Sequence, residues 1–288
     1  MHGLSRRLYD IGHGLDTHIG LPRLRPRPAL PEVVAGRTVL ITGASSGIGR
    51  AAAVRIGTAG ARVALVARRE TELAQVAAEI RAGGGRATVH PCDLNDFDAL
   101  DAAVATILTE HDGVDILINN AGRSIRRRID ESYDRFHDFE RTMRLNYFAA
   151  LRLVLAVLPG MRERRSGHIV NILSVANLFG GPGYSAYVAS KAALDSLTAS
   201  MHAETLTDEV RFSSVYMPLV RTPMIAPNAR YRHTAALTPE QGAQVVCRTL
   251  TDRPPHVGPL LGRMAALVDT VLPDRSLAGR SSRFTRGM

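Results

Sequence analysis

Tyr187 and Lys191 stand four residues apart in SAYVASKAALDSL, a stretch whose pattern predicts a helix, so the two side chains share one face. A phenol has a reference pKa of about 10, too high for easy proton exchange near neutrality. A neighbouring cation favours the phenolate and lowers that value, which makes the phenol a usable acid and base. Lys191 is the only lysine among 36 lysines and arginines. Its position therefore calls for a compact ammonium ion on a flexible stem, which a planar guanidinium does not supply. Thirteen residues before Tyr187, Ser174 closes the apolar run of NILS, where its hydroxyl can bond the same oxygen that the phenol protonates. Asn146, in RLNYF, falls inside a helical stretch where Asn has poor propensity, so a specific contact is expected to hold it there. These four residues suit acid–base chemistry on a substrate oxygen.

A second constellation lies near the start of the pattern. TVLITGASSGIGRAAA sets a glycine-rich turn directly after a β-rich run and opens a helix. Gly43, Gly47 and Gly49, with Ser45, Ser46 and Ile48 between them, allow a tight turn and close backbone approach to a pyrophosphate at the helix N-terminus. At the end of the next apolar run, VALVARR, a carboxylate would read the 2′-hydroxyl of an NAD ribose. This chain has Arg68 and Arg69 there instead. A guanidinium grips a 2′-phosphate that a carboxylate would repel, so NADP(H) is the expected cofactor and Arg68 its principal reader.

The elements that must position these residues follow from periodicity. Continuous apolar runs at 38–42, 62–67, 87–92, 114–119, 168–173 and 211–217 predict strands covered on both faces. Helical patterns at 47–59, 70–82, 96–111, 134–160 and 185–206 alternate with them, and TPEQ at 238–241 reads as a capping box that starts one more helix. This rhythm predicts an α/β fold: a single doubly wound Rossmann-type domain, with a central parallel sheet and helices on both faces, over 36–255. Residues 1–35 read as a Pro/Arg-rich, irregular or partly extended arm, and 256–288 as an amphipathic, basic extension.

Composition narrows the function classes. The net charge is +9, but aromatic residues make up only 5% and Trp is absent, which speaks against nucleic-acid binding. Cys92 and Cys247 show neither metal-ligand nor disulfide spacing, so no metal is expected. The run FAALRLVLAVL at 148–158, broken by Arg152, is too short to span a bilayer, and the first 37 residues hold no apolar core run of a secretory signal. A cytoplasmic protein is expected.

TGASSGIG, NNAG at 119–122, Asn146, Ser174 and YVASK occur in the order and at the spacings of the short-chain dehydrogenase/reductase family, which the chain resembles from 37 to about 252. The resemblance implies hydride transfer between a nicotinamide and a carbonyl or alcohol. It assigns Tyr187 as general acid/base, Lys191 as its tuner and holder of the nicotinamide ribose, Ser174 as substrate-orienting and Asn146 as support for a proton-relay water. It also implies that Asp93 and Leu94 face the adenine and that Asn120, Ala121 and Gly122 line the adjoining ribose. Asn119 reads as structural. Val220 and Thr222 are expected near the nicotinamide amide and the phosphates, although Leu219 stands where the family has glycine.

More loosely, NNAGRSIRR, HDFERTM, LNYF and MPLVRTPMIAP resemble the reductase domains of bacterial fatty acyl-CoA reductases. That subgroup implies a hydrophobic acyl thioester or fatty aldehyde as substrate, with Arg123, Arg126, Arg127 and Arg128 as a landing site for an anionic carrier or simply a solvated loop. The alternatives are a ketoreductase acting on a ketone, steroid or 3-oxoacyl group, and a non-catalytic NADP(H) sensor, which would be expected to have an eroded tetrad. A homo-oligomer, dimer or tetramer, is expected. The stripe of Leu260, Leu261, Met264, Leu267, Val268, Val271 and Leu272, followed by Arg275, Arg280, Arg283 and Arg286, suits packing on the fold or a second subunit, or else peripheral contact with a membrane.

Overall fold

The computed structural model describes residues 27–228 and 231–259, with isolated positions between 262 and 281. Seven parallel strands run in the order β3-β2-β1-β4-β5-β6-β7. They are β1 (Thr38–Thr42), β2 (Arg62–Ala67), β3 (Arg86–Pro91), β4 (Ile116–Asn119), β5 (Gly167–Ser174), β6 (Val210–Met217) and β7 (His256–Val257). Every residue of β1 and β4 is buried, as strands covered on both faces must be. β7 joins the sheet just past the boundary expected at 255, and its two residues are too few to carry a periodicity.

Helices cover both faces. Val39, Ile41, Val63 and Leu65 point into one apolar layer with Ala53, Ile56, Leu73 and Ile80 from helices α2 (Gly47–Thr58) and α3 (Glu70–Ala82). Leu40, Ala64 and Leu117 point into the other, with Leu100, Ile107, Leu153 and Val157. These last four come from helices α4 (Phe97–His111) and α6 (Ala149–Glu163).

Three local readings are corrected. Within the arm read as irregular or partly extended, helix α1 (Leu30–Val34) opens with Pro31 in its first turn and buries Val34 in the core. The helix expected over 134–160 is instead α5 (Phe136–Met143), a π-helical turn at Arg144–Phe148 and then α6. Together these make a 28-residue helical run, Phe136–Glu163, that is long and apolar enough by length and composition to cross a membrane, where the sequence suggested only a short interrupted run. Ala149, Leu153, Val154, Val157 and Met161 bury one face of it against the sheet, the pattern of a sheet-covering helix.

Of the C-terminal stripe, Met264, Val271 and Leu272 are exposed. Leu260, Leu261, Leu267, Val268 and the basic tail lie outside the described residues, as does the arm before 27.

Candidate active site

Parallel strands bring their carboxyl ends to one edge of the sheet, and the predicted residues gather there. Ser174 ends β5, the short helix α7 (Ala176–Phe179) follows, and helix α8 (Ser185–Thr205) then carries Tyr187 and Lys191 one turn apart. The Ser174 and Tyr187 hydroxyls are hydrogen-bonded to each other. Lys191 is 4% exposed and donates from Nζ to the Ile172 carbonyl at 2.7 Å. A Cβ added at Gly122 would sit 3.3 Å from Asn146 Oδ1 and 3.4 Å from Lys191 Nζ. The loop after β4 therefore passes closely over both side chains, and only a glycine fits easily there.

Asn146 lies in the π-helical turn, 1% exposed. Its Oδ1 accepts from the Arg123 amide at 2.8 Å, while Nδ2 donates to the Arg123 carbonyl and to Ser190 Oγ, both at 2.9 Å. Ser190 Oγ in turn donates to the Tyr187 carbonyl at 2.7 Å. Asn146 thus ties the loop after β4 to the helix that carries Tyr187. The widened turn, a common device at functional sites, presents the asparagine in a position that helix propensity would not select. Ser190 was missed in the sequence because a small polar residue mid-helix gives no signal of its own.

The electrostatics correct one expectation. Burial pushes the Tyr187 phenol above its ordinary value, and the hydrogen bond from Ser174 offsets this only in part. Lys191, cast by the resemblance as the tuner of this phenol, donates instead to the Ile172 carbonyl. Burial lowers the ammonium itself to about 8. Tyr187 therefore holds its proton at neutral pH, the state required of a proton donor.

The glycine turn has the shape of a cradle. Gly43 and Gly47 have φ of 66° and 55°, the left-handed region that glycine adopts without strain. A Cβ at Gly49 would fall 2.4 Å from the Gly43 carbonyl oxygen and 2.5 Å from Asn120 Nδ2. Asn120 Nδ2 donates to the Thr42 carbonyl at 2.9 Å, and Thr42 Oγ1 accepts from the Asn120 and Ala121 amides at 3.0 Å each. Asn120 thus fastens the turn to the strand end beside it. Asn119 is buried and bonds Asn171 within the core, the structural role expected of it.

A cradle of this kind fits a dinucleotide, whose pyrophosphate needs the backbone approach that side chains would block. Gly49→Ala is expected to abolish measurable dinucleotide binding, read by quenching of cofactor fluorescence. Retained affinity with an unchanged fold would detach the turn from that role.

The two arginines after β2 divide their work. Arg69 pairs with Glu72 at 3.0 Å and donates to Ser45 Oγ at 3.1 Å, so it braces the loop. Arg68 is exposed and has no ion pair among the described residues. Across from it, burial would raise the Asp93 carboxyl, but hydrogen bonds from Asn95 and the charges of Arg68 and Arg123 hold it below its usual range. Leu94 is buried beside Asp93.

On the opposite side, Val220 is buried and bridges to Leu237, and a Cβ added at Gly47 would meet the Thr222 methyl at 2.8 Å. Leu219, in place of the family's glycine, donates no distortion to this bridge: its carbonyl accepts from the Leu237 amide at 2.8 Å. The segment that follows is clasped to the start of α8. Tyr184 and Tyr231 share a hydroxyl–hydroxyl hydrogen bond of 2.5 Å, and Asn228 donates to Tyr184 at 3.0 Å. No sequence motif marks this clasp, because its partners lie 44 and 47 residues apart.

The family model for short chain dehydrogenases matches residues 37–232. The chain belongs to that family. It is 51% identical over 243 residues to a fatty acyl-CoA reductase of Acinetobacter baylyi, covering 84% of this chain and 82% of that protein. It is 44% identical over 262 residues to a fatty acyl-CoA reductase of Mycobacterium tuberculosis, covering 90% and 89%. Among solved structures, a metagenomic short-chain oxidoreductase in complex with NADP superposes with a TM-score of 0.68 at 33% identity, covering 78% of this chain and 97% of that one. The protein is accordingly an oxidoreductase of the short-chain class.

Proposed function

We propose that this oxidoreductase uses NADPH to reduce the carbonyl carbon of a long-chain acyl-CoA thioester or fatty aldehyde. The observation that carries the reading is how the arginines at the site mouth are engaged. Arg127 pairs with the buried Asp138 at 2.8 Å and Arg128 with Asp130 at 2.8 Å, so these two serve the fold. Arg123 and Arg126 have no ion pair among the described residues, and the adjacent Arg127 amide bonds Gly183, four residues before Tyr187. The Arg126 charge bears on Tyr184 at the start of the catalytic helix and the Arg123 charge on Asp93 across the site mouth, and two such guanidinium groups suit the phosphates of a coenzyme A carrier. Met224, exposed on the segment that follows Thr222, offers apolar surface for an acyl chain. The names of the two relatives above agree with this class of substrate.

Bound NADPH would supply the hydride, with the pyrophosphate on the glycine turn, the 2′-phosphate at Arg68 and the nicotinamide ribose beside Lys191. Ser174 donates a hydrogen bond to the substrate carbonyl oxygen and Tyr187 gives it a proton as negative charge develops there. With a thioester, collapse of the resulting hemithioacetal releases the carrier thiol and leaves an aldehyde, so one NADPH and one proton are consumed for each aldehyde.

An NADPH-oxidation screen across acyl-CoAs, fatty aldehydes and ketones tests the reading, with the highest kcat/KM expected for long-chain acyl-CoAs or fatty aldehydes. Preference for a ketone or steroid would replace it with ketoreduction. Within the acyl-CoA reading, Arg126→Ala is expected to raise KM for acyl-CoA by about tenfold, the loss of one charge-assisted contact, and to leave KM for a fatty aldehyde unchanged. Equal effects on both substrates would remove Arg126 from carrier recognition.

A further inference from the structure

β3 is the edge strand of the sheet, and near its end His90 faces the C-terminal turn of α4. The Nε2 atoms of His90 and His111 converge on Thr88 Oγ1, at 2.7 and 2.9 Å. The Glu110 carboxylate stands 3.6 Å from His90 Nε2. One ligand atom from each of His90, Glu110 and His111 lies within 4.8 Å of the others. We propose that these three residues form a binding site for a divalent transition metal of the zinc class, stapling the edge strand to the end of α4.

The donor set decides the class of ion. Two imidazoles and one carboxylate suit zinc and its neighbours, whereas calcium and magnesium prefer oxygen ligands throughout. With metal–nitrogen bonds of about 2.0–2.1 Å, tetrahedral ligand atoms stand roughly 3.4 Å apart, so the present spacing closes by small side-chain rotations. Glu110, whose side chain is 44% exposed, is free to make most of that movement, while the His90 side chain is 9% exposed and already aimed.

Burial lowers His90 and His111 below the ordinary histidine value, against the opposing pull of Glu110, the direction that favours the neutral imidazole a metal binds. Thr88 Oγ1 bonds both Nε2 atoms, and a ring that donates to it binds a metal by moving its proton to Nδ1, with no net ionisation. The Arg62 cation, which also bears on His111, opposes the metal and sets the affinity below that of a fully anionic site.

The test uses chelator-stripped, full-length protein titrated with cobalt(II) alone and then with zinc(II). One cobalt per chain is expected to give the visible absorption of a tetrahedral nitrogen and oxygen site, and zinc to bleach it. Zinc is also expected to raise the melting midpoint, since an ion that binds only the folded chain stabilises it. Glu110→Gln, a change to an exposed side chain, is expected to weaken zinc binding at least about tenfold with the circular dichroism spectrum unchanged, and His90→Gln to abolish it. Absence of a saturable cobalt signal would overturn the proposal. So would a zinc affinity that neither substitution alters, because the ion would then sit on other histidines or cysteines of the chain.

Discussion

Tyr187→Phe is expected to cut kcat for NADPH-dependent reduction by about 10²–10⁴-fold, the usual contribution of a positioned general acid. The substitution removes one oxygen from a half-buried ring. Burial keeps the phenol protonated in the wild-type enzyme, and within the tetrad its hydroxyl bonds Ser174, so the loss falls on the proton and on little else. The cofactor cradle, built from Gly43, Gly47, Gly49 and the Thr42–Asn120 clamp, does not touch that oxygen. NADPH affinity measured by fluorescence should therefore stay near the wild-type value while turnover collapses. Turnover within a few fold of wild type would transfer the acid role to another group. Lys191→Arg is expected to fail with it, because a guanidinium cannot occupy the buried space from which Nζ reaches the Ile172 carbonyl.

Arg68→Ala is expected to reduce the preference for NADPH over NADH by roughly 10- to 100-fold, the worth of a charge-assisted contact to a phosphate. Arg69 cannot substitute, since Glu72 and Ser45 already hold its guanidinium. The effect should appear as a rise in KM for NADPH with NADH kinetics unchanged, because NADH has no 2′-phosphate for Arg68 to bind. Comparison of kcat/KM for the two cofactors in wild type and variant measures it. An unchanged ratio would mean that another cation reads the phosphate.

Much of this was legible in the sequence because it rests on local chemistry. Strands β1 and β2 are apolar runs that two-sided burial imposes, β5 and β6 are runs of the same kind interrupted by buried polar residues such as His168, Asn171, Ser213 and Ser214, and the glycine turn is fixed by backbone conformations that few other residues adopt. The Tyr187 and Lys191 pairing follows from helical spacing alone. What was hidden depends on partners distant in the chain. Asn146 stood out as a misfit in a helix, but its partners, Arg123 and Ser190, are 23 and 44 residues away. The destination of Lys191 Nζ is a backbone carbonyl, which no side-chain pattern can reveal. The commitment of Arg69 to Glu72, by contrast, is an i,i+3 pair that the sequence displays and that separates the roles of the two arginines.

The central claim is that hydride passes from NADPH to the carbonyl carbon of a long-chain acyl substrate at the Tyr187 site. Stereospecifically deuterated NADPH, deuterated at the transferable position of the nicotinamide, tests it directly when incubated with the enzyme and a long-chain acyl-CoA. The account predicts an aldehyde, or an alcohol formed from it, carrying deuterium on the former thioester carbon, and labelled product formed about 10²–10⁴-fold more slowly by Tyr187→Phe. Cofactor oxidation that leaves the acyl carbon unlabelled, or labelled product formed equally well by Tyr187→Phe, would contradict it.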